Sequence, residues 1–569
     1  MKTLARITLA ALVSTVAFAA SKVASDMPRS SRTGLVEVIV QFKGEAAGNA
    51  VEQVRTFGYV RRQFRSIPAV HMTVPLSMIA RLAANPQVAY VSPNRRTASF
   101  LDITTQSVNA NAVWASGWDG TGVGVAVIDS GVAMKADLNA PNGSSRVVFS
   151  ESFVPGQDAS DQYGHGTHVA GIIAANGAAS TGPNYTHTFK GVAPNANIIN
   201  LRVLDANGGA QESEVIAAIE EAIALKDTYN IRVINLSLGH AVYESFKLDP
   251  LCQAVEAAWK AGITVVTAAG NMGRDNSLGT NGYATISSPA NDPYVITVGA
   301  MNANSTPWRG DDRIASYSSK GPSLLDHIAK PDIVAPGNGV TSLLASPNCT
   351  LATEYPNTLI AASSYQTGGQ DMSADYFRLS GTSMATPAVA GAVALLLQQN
   401  PALTPDQVKA RLMKTAGKSL PRYTTATDQL NSAAYASQQD IFTVGAGYLD
   451  ISAAMANTDL ANFQALSPLA VFHPDTQTVS LVSSAPLVGS DTVVWGDTVV
   501  WGDTVVWGDT VVWGDTVVWG DTVVWGDTVV WGDTVVWGDS TLVGFTVVWG
   551  DSVPDMSALE AASLNNGDR

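Results

Sequence analysis

The stretch Thr121-Gly-Val-Gly-Val-Ala-Val-Ile-Asp129-Ser-Gly-Val132 is a short apolar run closed by an aspartate. Its apolar residues do not alternate with polar ones, the pattern of a strand covered on both faces. Runs of the same kind follow in ANIINLRVL (196–204), IRVINLSLG (231–239), ITVVTAAGN (263–271) and YVITVGA (294–300). Between and after them lie helical patterns: one from His165, SEVIAAIEEAIAL (213–225), LCQAVEAAWKAG (251–262), and a long one after Ser383. Such alternation predicts an α/β fold, a doubly wound, mostly parallel sheet with helices on both faces. In sheets of this kind functional groups gather at the carboxyl edge of the strands, and Asp129, Ser237 and Asn271 all sit at strand ends. The Gly120–Gly124 run GTGVG precedes its strand. A dinucleotide fingerprint needs its glycines between strand and helix, so an oxidoreductase reading is disfavoured.

The chain has 569 residues, 46% hydrophobic and 14% charged, too apolar for a disordered protein and long enough for more than one domain. Thirty-three Lys and Arg face 48 Asp and Glu, a net charge of −15, which excludes a nucleic-acid polyanion as the expected partner. The charge is unevenly spread: residues 1–100 hold 13 basic and 4 acidic side chains, and the remainder 20 and 44. Residues 1–20 carry Lys2 and Arg6, then an apolar stretch from Ile7 to Ala20 that ends in small residues. They read as a secretory signal peptide, too short for a membrane-spanning helix, and the expected location is extracellular. Residues 21–100 follow a βαββαβ order, a small α+β, ferredoxin-like sandwich whose basic charge suits docking on the acidic body. The body spans 101–460. Export makes a Cys252–Cys349 disulfide chemically permissible, and two free thiols are the alternative that the sequence leaves open.

After an expected linker (461–490), residues 491–551 carry the hexapeptide TVVWGD: eight consecutive copies to Asp539 and a further one at Thr546–Asp551. Six is even, so a strand through the repeat keeps Val, Trp and Asp on one face and Thr, Val and Gly on the other. Gly-Asp at every sixth position signals turns, predicting a β-rich meander or solenoid with a tryptophan ladder. Stacking would also gather the nine aspartates from Asp491 to Asp539, calling for screening or bridging calcium. A tolerated extension that contributes little beyond solubility or self-association is the simpler reading, with retention at the cell surface through the tail as the alternative. Residues 552–569 form the C-terminal tail.

Three further patterns carry chemistry: VAVIDSGV around Asp129, GHGTHVAG around His165, and LSGTSMATPAVAGAVALLL around Ser383. A serine hydroxyl needs a neighbouring imidazole to take its proton, and the imidazole needs a carboxylate to fix its tautomer. In this Asp, His, Ser order and with these flanks, the chain resembles the subtilisin-like serine proteases, or subtilases, over about residues 102–455. The resemblance implies Asp129, His165 and Ser383 as a catalytic triad. It also implies an oxyanion hole made by the Asn271 side chain and the Ser383 N–H. The preceding sandwich resembles the family's inhibitory propeptide, which implies a zymogen that cuts itself near Arg95–Phe100.

The resemblance further implies protein or peptide substrates held by β-addition along Ser237-Leu238-Gly239. The pocket for the residue before the cut would be lined by Leu238, Gly239, Ala268, Ala269 and Gly270. None of these carries a charge, which favours apolar or aromatic substrate residues. No cofactor is needed for such chemistry. Structural calcium is common in the family, but the stretch NGAASTGPNYTHTFK (176–190) matches no calcium loop, so no metal ligand is assigned. His240, directly after the substrate strand, departs from the family pattern. A rival reading makes the repeat tail the working part of an adhesion protein, and the complete triad argues against it.

Overall fold

The computed structural model describes residues 22–24, 27, 34–43, 48–64, 68–93, 103–277, 279–427, 433–473 and 478–482. The proposed signal peptide, the Arg95–Phe100 junction and the TVVWGD repeats lie outside the described residues. The chain divides into two compact units, Met1–Ala98 and Ser99–Arg569.

In the first unit, strands β1 (Leu35–Phe42), β2 (Tyr59–Gln63), β3 (Ala69–Pro75) and β4 (Val88–Pro93) form an antiparallel sheet in the order β2-β3-β1-β4. Helices at Gly48–Arg55 and Ile79–Ala83 complete the α+β unit. Alternation places Val36, Val38, Val40 and Phe42 of β1 in the core with Val70, Met72 and Val74 of β3. The other side of β1 stays open, as expected of a sheet with one solvated face.

The second unit is built on β5 (Gly124–Asp129), β6 (Val147–Ser152), β7 (Asn197–Arg202), β8 (Ile231–Leu236), β9 (Thr264–Ala268), β10 (Ile296–Asn302), β11 (Arg313–Ile314) and β12 (Ile333–Pro336). Their order is β11-β10-β9-β8-β5-β7-β6, with β12 also paired to β10. Every pair is parallel except β10 with β11. All six residues of β5 are buried, which explains its unbroken apolar run. From β5 the chain fills one side through β6 and β7, then crosses to β8, so the strand order reverses between β5 and β8. A crevice opens at such a reversal, outside the carboxyl ends of the strands.

The Thr382–Gln399 helix is buried from Thr382 through Leu397 and packs against β8, β9, β10 and the His165–Ala174 helix. Its all-round apolarity is that of a core helix, and it delivers its first turn to the crevice.

One expectation is revised, and one open alternative is decided. The segment 461–490 is not a free linker over its described part. Leu469–His473 and Thr478–Val482 form a hairpin, and Leu469 bridges to Ile328. Ser467, buried, donates to Asp332 Oδ1 at 2.5 Å. Asp332 also takes Lys330 Nζ at 2.8 Å and Lys409 Nζ at 3.2 Å, and all three of these charged side chains are fully buried. The segment therefore adds a hydroxyl to a buried polar cluster of the body. Cys252 and Cys349 are both free and buried. Cys252 Sγ lies 3.4 Å from Asn291 Oδ1, and Cys349 Sγ packs against Gly164. No helix among the described residues is long and apolar enough to cross a membrane.

Candidate active site

Asp129 closes β5 with its side chain fully buried, and its Oδ1 lies 2.8 Å from His165 Nδ1. Oδ1 also accepts from Ser130 N at 2.7 Å. A carboxylate only accepts, so Nδ1 carries the hydrogen and Nε2 is the ring nitrogen left with a lone pair in the neutral imidazole.

His165 is the first residue of its helix. The chain enters that helix through Gly164 at φ 103°, a left-handed turn suited to glycine. A side chain at Gly166 would collide with the Gly131 carbonyl oxygen and crowd Asp129, whose Cβ and Oδ1 would each lie 3.1 Å from the added carbon. The GHG triplet thus lets the imidazole approach the strand end.

Asp161 fixes this junction and was not singled out by the sequence. Its Oδ1 accepts from Ser130 Oγ at 2.8 Å and Gly164 N at 2.7 Å, and its Oδ2 from Thr167 N at 2.9 Å and Thr167 Oγ1 at 2.6 Å. Two otherwise orphaned N–H groups at the start of the His165 helix are thereby satisfied. Ser130 Oγ accepts in turn from Gly166 N at 2.9 Å, so one carboxylate joins the end of β5 to the start of the helix. Burial pushes the Asp161 pKa up, opposed by these hydrogen bonds. An aspartate four residues before His165 is the signal that could have found it.

Ser383 lies in the first turn of the Thr382–Gln399 helix, where backbone N–H groups have no intrahelical acceptor. Pro387, four residues on, has no N–H to donate to the Ser383 carbonyl. Ser237 Oγ supplies that donor at 3.0 Å, and Ser383 Oγ donates back to the Ser237 carbonyl at 3.2 Å. The reciprocal pair locks the helix start to the end of β8. Asn271 Oδ1 accepts from Thr382 N at 2.9 Å and Thr382 Oγ1 at 3.1 Å. With its oxygen so engaged, the amide has only N–H donors to offer a ligand.

His165, Ser383, Asn271, Ser237, Leu238, Gly239, Ala268 and Gly270 line one cavity. The Ser237–Gly239 backbone runs along it beyond the last β8–β9 pair, Leu236 with Thr267. Ala269 is not brought to that wall: it is fully buried and clusters with Ile286 and Ala290. His168, one helical turn from His165, is a packed residue. Its Nε2 lies 3.1 Å from Val340 O and its ring meets Phe377 edge-on at 5.2 Å. Burial, with the neighbouring His165, lowers its pKa to about 3, so it stays neutral.

An uncharged serine at a helix start, an imidazole polarised by a buried carboxylate and an amide with free donors suit nucleophilic attack on a carbonyl group. The pattern of the subtilase family, Peptidase_S8, matches residues 120–447. Serine protease AprX of Bacillus subtilis (strain 168) is 36% identical over 398 residues, covering 67% of this chain and 83% of that protein. Subtilisin E of the same organism is 36% identical over 363 residues, 63% of this chain and 78% of the relative. The alkaline protease of Alkalihalobacillus alcalophilus is 33% identical over 358 residues, 62% and 75% of the two chains.

Proposed function

The chain belongs to the subtilase family and is a serine endopeptidase, and from that premise we propose that Asp129, His165 and Ser383 form its catalytic triad. The observation that carries the assignment is the 2.8 Å bond between Asp129 and His165 at the edge of the cavity that Ser383 enters. Ser383 Oγ turns from the Ser237 carbonyl, gives its proton to His165 Nε2 and attacks the scissile carbonyl carbon. The oxyanion is held by the Ser383 N–H and the Asn271 amide. His165 passes the proton to the departing amine as the C–N bond breaks. Water then attacks the acyl-enzyme, losing a proton to His165, and the second product leaves with the Ser383 hydroxyl restored. These steps use groups of the chain itself and water. Asp129 keeps the imidazole in the required tautomer and stabilises its charged form.

Peptide substrates lie along Ser237-Leu238-Gly239 by backbone pairing. Leu238, Gly239, Ala268 and Gly270 receive the residue before the cut, with Ala269 backing them, so apolar and aromatic residues are preferred.

The protein is made as a secreted zymogen. Residues 1–20 direct export, 21–100 form the inhibitory propeptide, and 101–460 form the peptidase. Residues 491–551 provide a surface-retention or self-association tail. Complementary charge between the basic head and acidic body supports this division. A Ser383→Ala chain expressed in a protease-deficient host accumulates as uncut precursor by intact mass. Normal cleavage near Arg95–Phe100 in that variant would contradict self-processing.

A further inference from the structure

Beyond Gly239 the cavity wall continues into His240 and Glu212. Neither belongs to the triad or the oxyanion hole. His240 Nδ1 lies 2.8 Å from the Ala241 carbonyl oxygen, so Nδ1 is the donor and Nε2 holds the lone pair of the neutral ring. Nε2 is inaccessible and has no hydrogen-bond partner, as is Oε2 of Glu212. Glu212 Oε1 stands 3.8 Å from His240 Nε2, too far for a hydrogen bond. Buried Asp249 is close by: its Oδ1 caps the Pro250–Lys260 helix through Leu251 N and Cys252 N. Its Oδ2 accepts from Ser288 Oγ at 2.7 Å and retains a further acceptor site. One ligand atom from each of the three residues lies within 4.8 Å of the others.

Two carboxylates and an oriented imidazole therefore stand close enough together to share one ion. Acceptors so arranged repel one another unless a proton or a metal cation lies between them. A backbone carbonyl holding the other ring nitrogen is the outer-shell arrangement of metal-bound histidine. One imidazole with two carboxylates suits zinc-class ions, whereas calcium and magnesium prefer oxygen alone. We propose that Glu212, His240 and Asp249 bind a divalent transition-metal cation in the wall of the cleft. Coordination bonds of roughly 2.0–2.2 Å require the ligand atoms to draw closer. Glu212 can supply that movement, because its side chain is 36% exposed at the start of its helix. The consequence for activity rests on the cavity being the peptide path: a bound ion with its water narrows that path and slows peptide cleavage.

The probe is Zn2+. The untagged full-length chain carrying Ser383→Ala, which prevents self-digestion, is titrated against a chromophoric chelator after stripping with EDTA. One equivalent of zinc is retained, and His240→Ala or Glu212→Gln in the same background weakens its binding at least about tenfold. His165→Ala leaves that equivalent in place, separating it from the triad. Thermal melts identify any variant that fails to fold, and Glu212→Gln, at the cavity rim, keeps the test decisive if His240→Ala does. Unchanged zinc affinity in both folded variants, or loss of the equivalent in His165→Ala alone, overturns the site. A second arm measures hydrolysis of an extended peptide by the active chain, where saturating Zn2+ lowers the rate and EDTA restores it. Zinc held by the three residues with peptide hydrolysis unchanged supports the site and counts against the cavity as the peptide path.

Discussion

Replacing Asp161 by Asn tests whether the junction between β5 and the His165 helix positions the imidazole. The carboxylate accepts four hydrogen bonds, two on each oxygen. An asparagine amide keeps one accepting oxygen, so its NH2 faces either the Ser130 hydroxyl with Gly164 N or the Thr167 hydroxyl with Thr167 N. A hydroxyl can rotate to accept, but a backbone N–H cannot, so one buried N–H is left without an acceptor at about 1–3 kcal/mol. The surviving bonds also lose charge assistance, each falling from about 1.5–3 to about 0.5–1.5 kcal/mol. Release of the burial penalty that raises the Asp161 pKa offsets part of this, giving a net loss of roughly 2–4 kcal/mol. A shift of the helix start by a fraction of an ångström misaligns His165, and kcat falls by about ten- to a hundredfold. The assay is steady-state hydrolysis of a chromogenic peptide amide for kcat and KM, with thermal melting of the inhibited enzyme. A kcat within twofold of the parent would refute the positioning role, even if the melting temperature dropped.

Asn271→Ala removes one oxyanion donor and lowers kcat on the order of 10²–10³ with little change in KM, read from the same assay. A peptide amide with phenylalanine before the cut is hydrolysed faster than its arginine counterpart, as kcat/KM for matched substrates will show, because Leu238, Gly239, Ala268 and Gly270 present no carboxylate. Burial raises the Asp292 pKa from 3.8 to about 7, so the folded state holds a proton that the unfolded chain releases near pH 4. This group's contribution to stability is therefore full below about pH 4 and lost as pH rises to about 7. Asp292→Asn flattens that loss, and its stability relative to the parent rises by on the order of a few kcal/mol between pH 4 and 8, measured by denaturant melts in a Ser383→Ala background.

The α/β architecture was legible because β5, β7, β8, β9 and β10 are buried on both faces and so read as short, mostly apolar runs without strict alternation. Asp129, Ser237 and Asn271 were legible as residues at the ends of those strands. What the sequence concealed depends on contacts between distant segments. Pro387 frees the Ser383 carbonyl for Ser237, 146 residues away, and no local pattern announces that pairing. Asp161 looks like an ordinary loop aspartate until the loop folds back beneath the helix start. Ala269 lies between two lining neighbours, Ala268 and Gly270, because the chain leaves β9 and turns Gly270 into the left-handed region at φ 104°, which takes Ala269 into the core. The strand pair Leu469–His473 with Thr478–Val482 is not announced because both strands are short, and its docking depends on Ile328, Ala329 and Phe442 from the body.

The most direct measurement is labelling of the mature enzyme with a fluorophosphonate, followed by peptide mapping and repeated with His165→Ala. A Ser383 nucleophile activated by His165 gives one adduct, on Ser383 Oγ, forming at least about a thousandfold more slowly when the imidazole is absent. An adduct on another residue, or equal labelling rates with and without His165, would contradict this assignment.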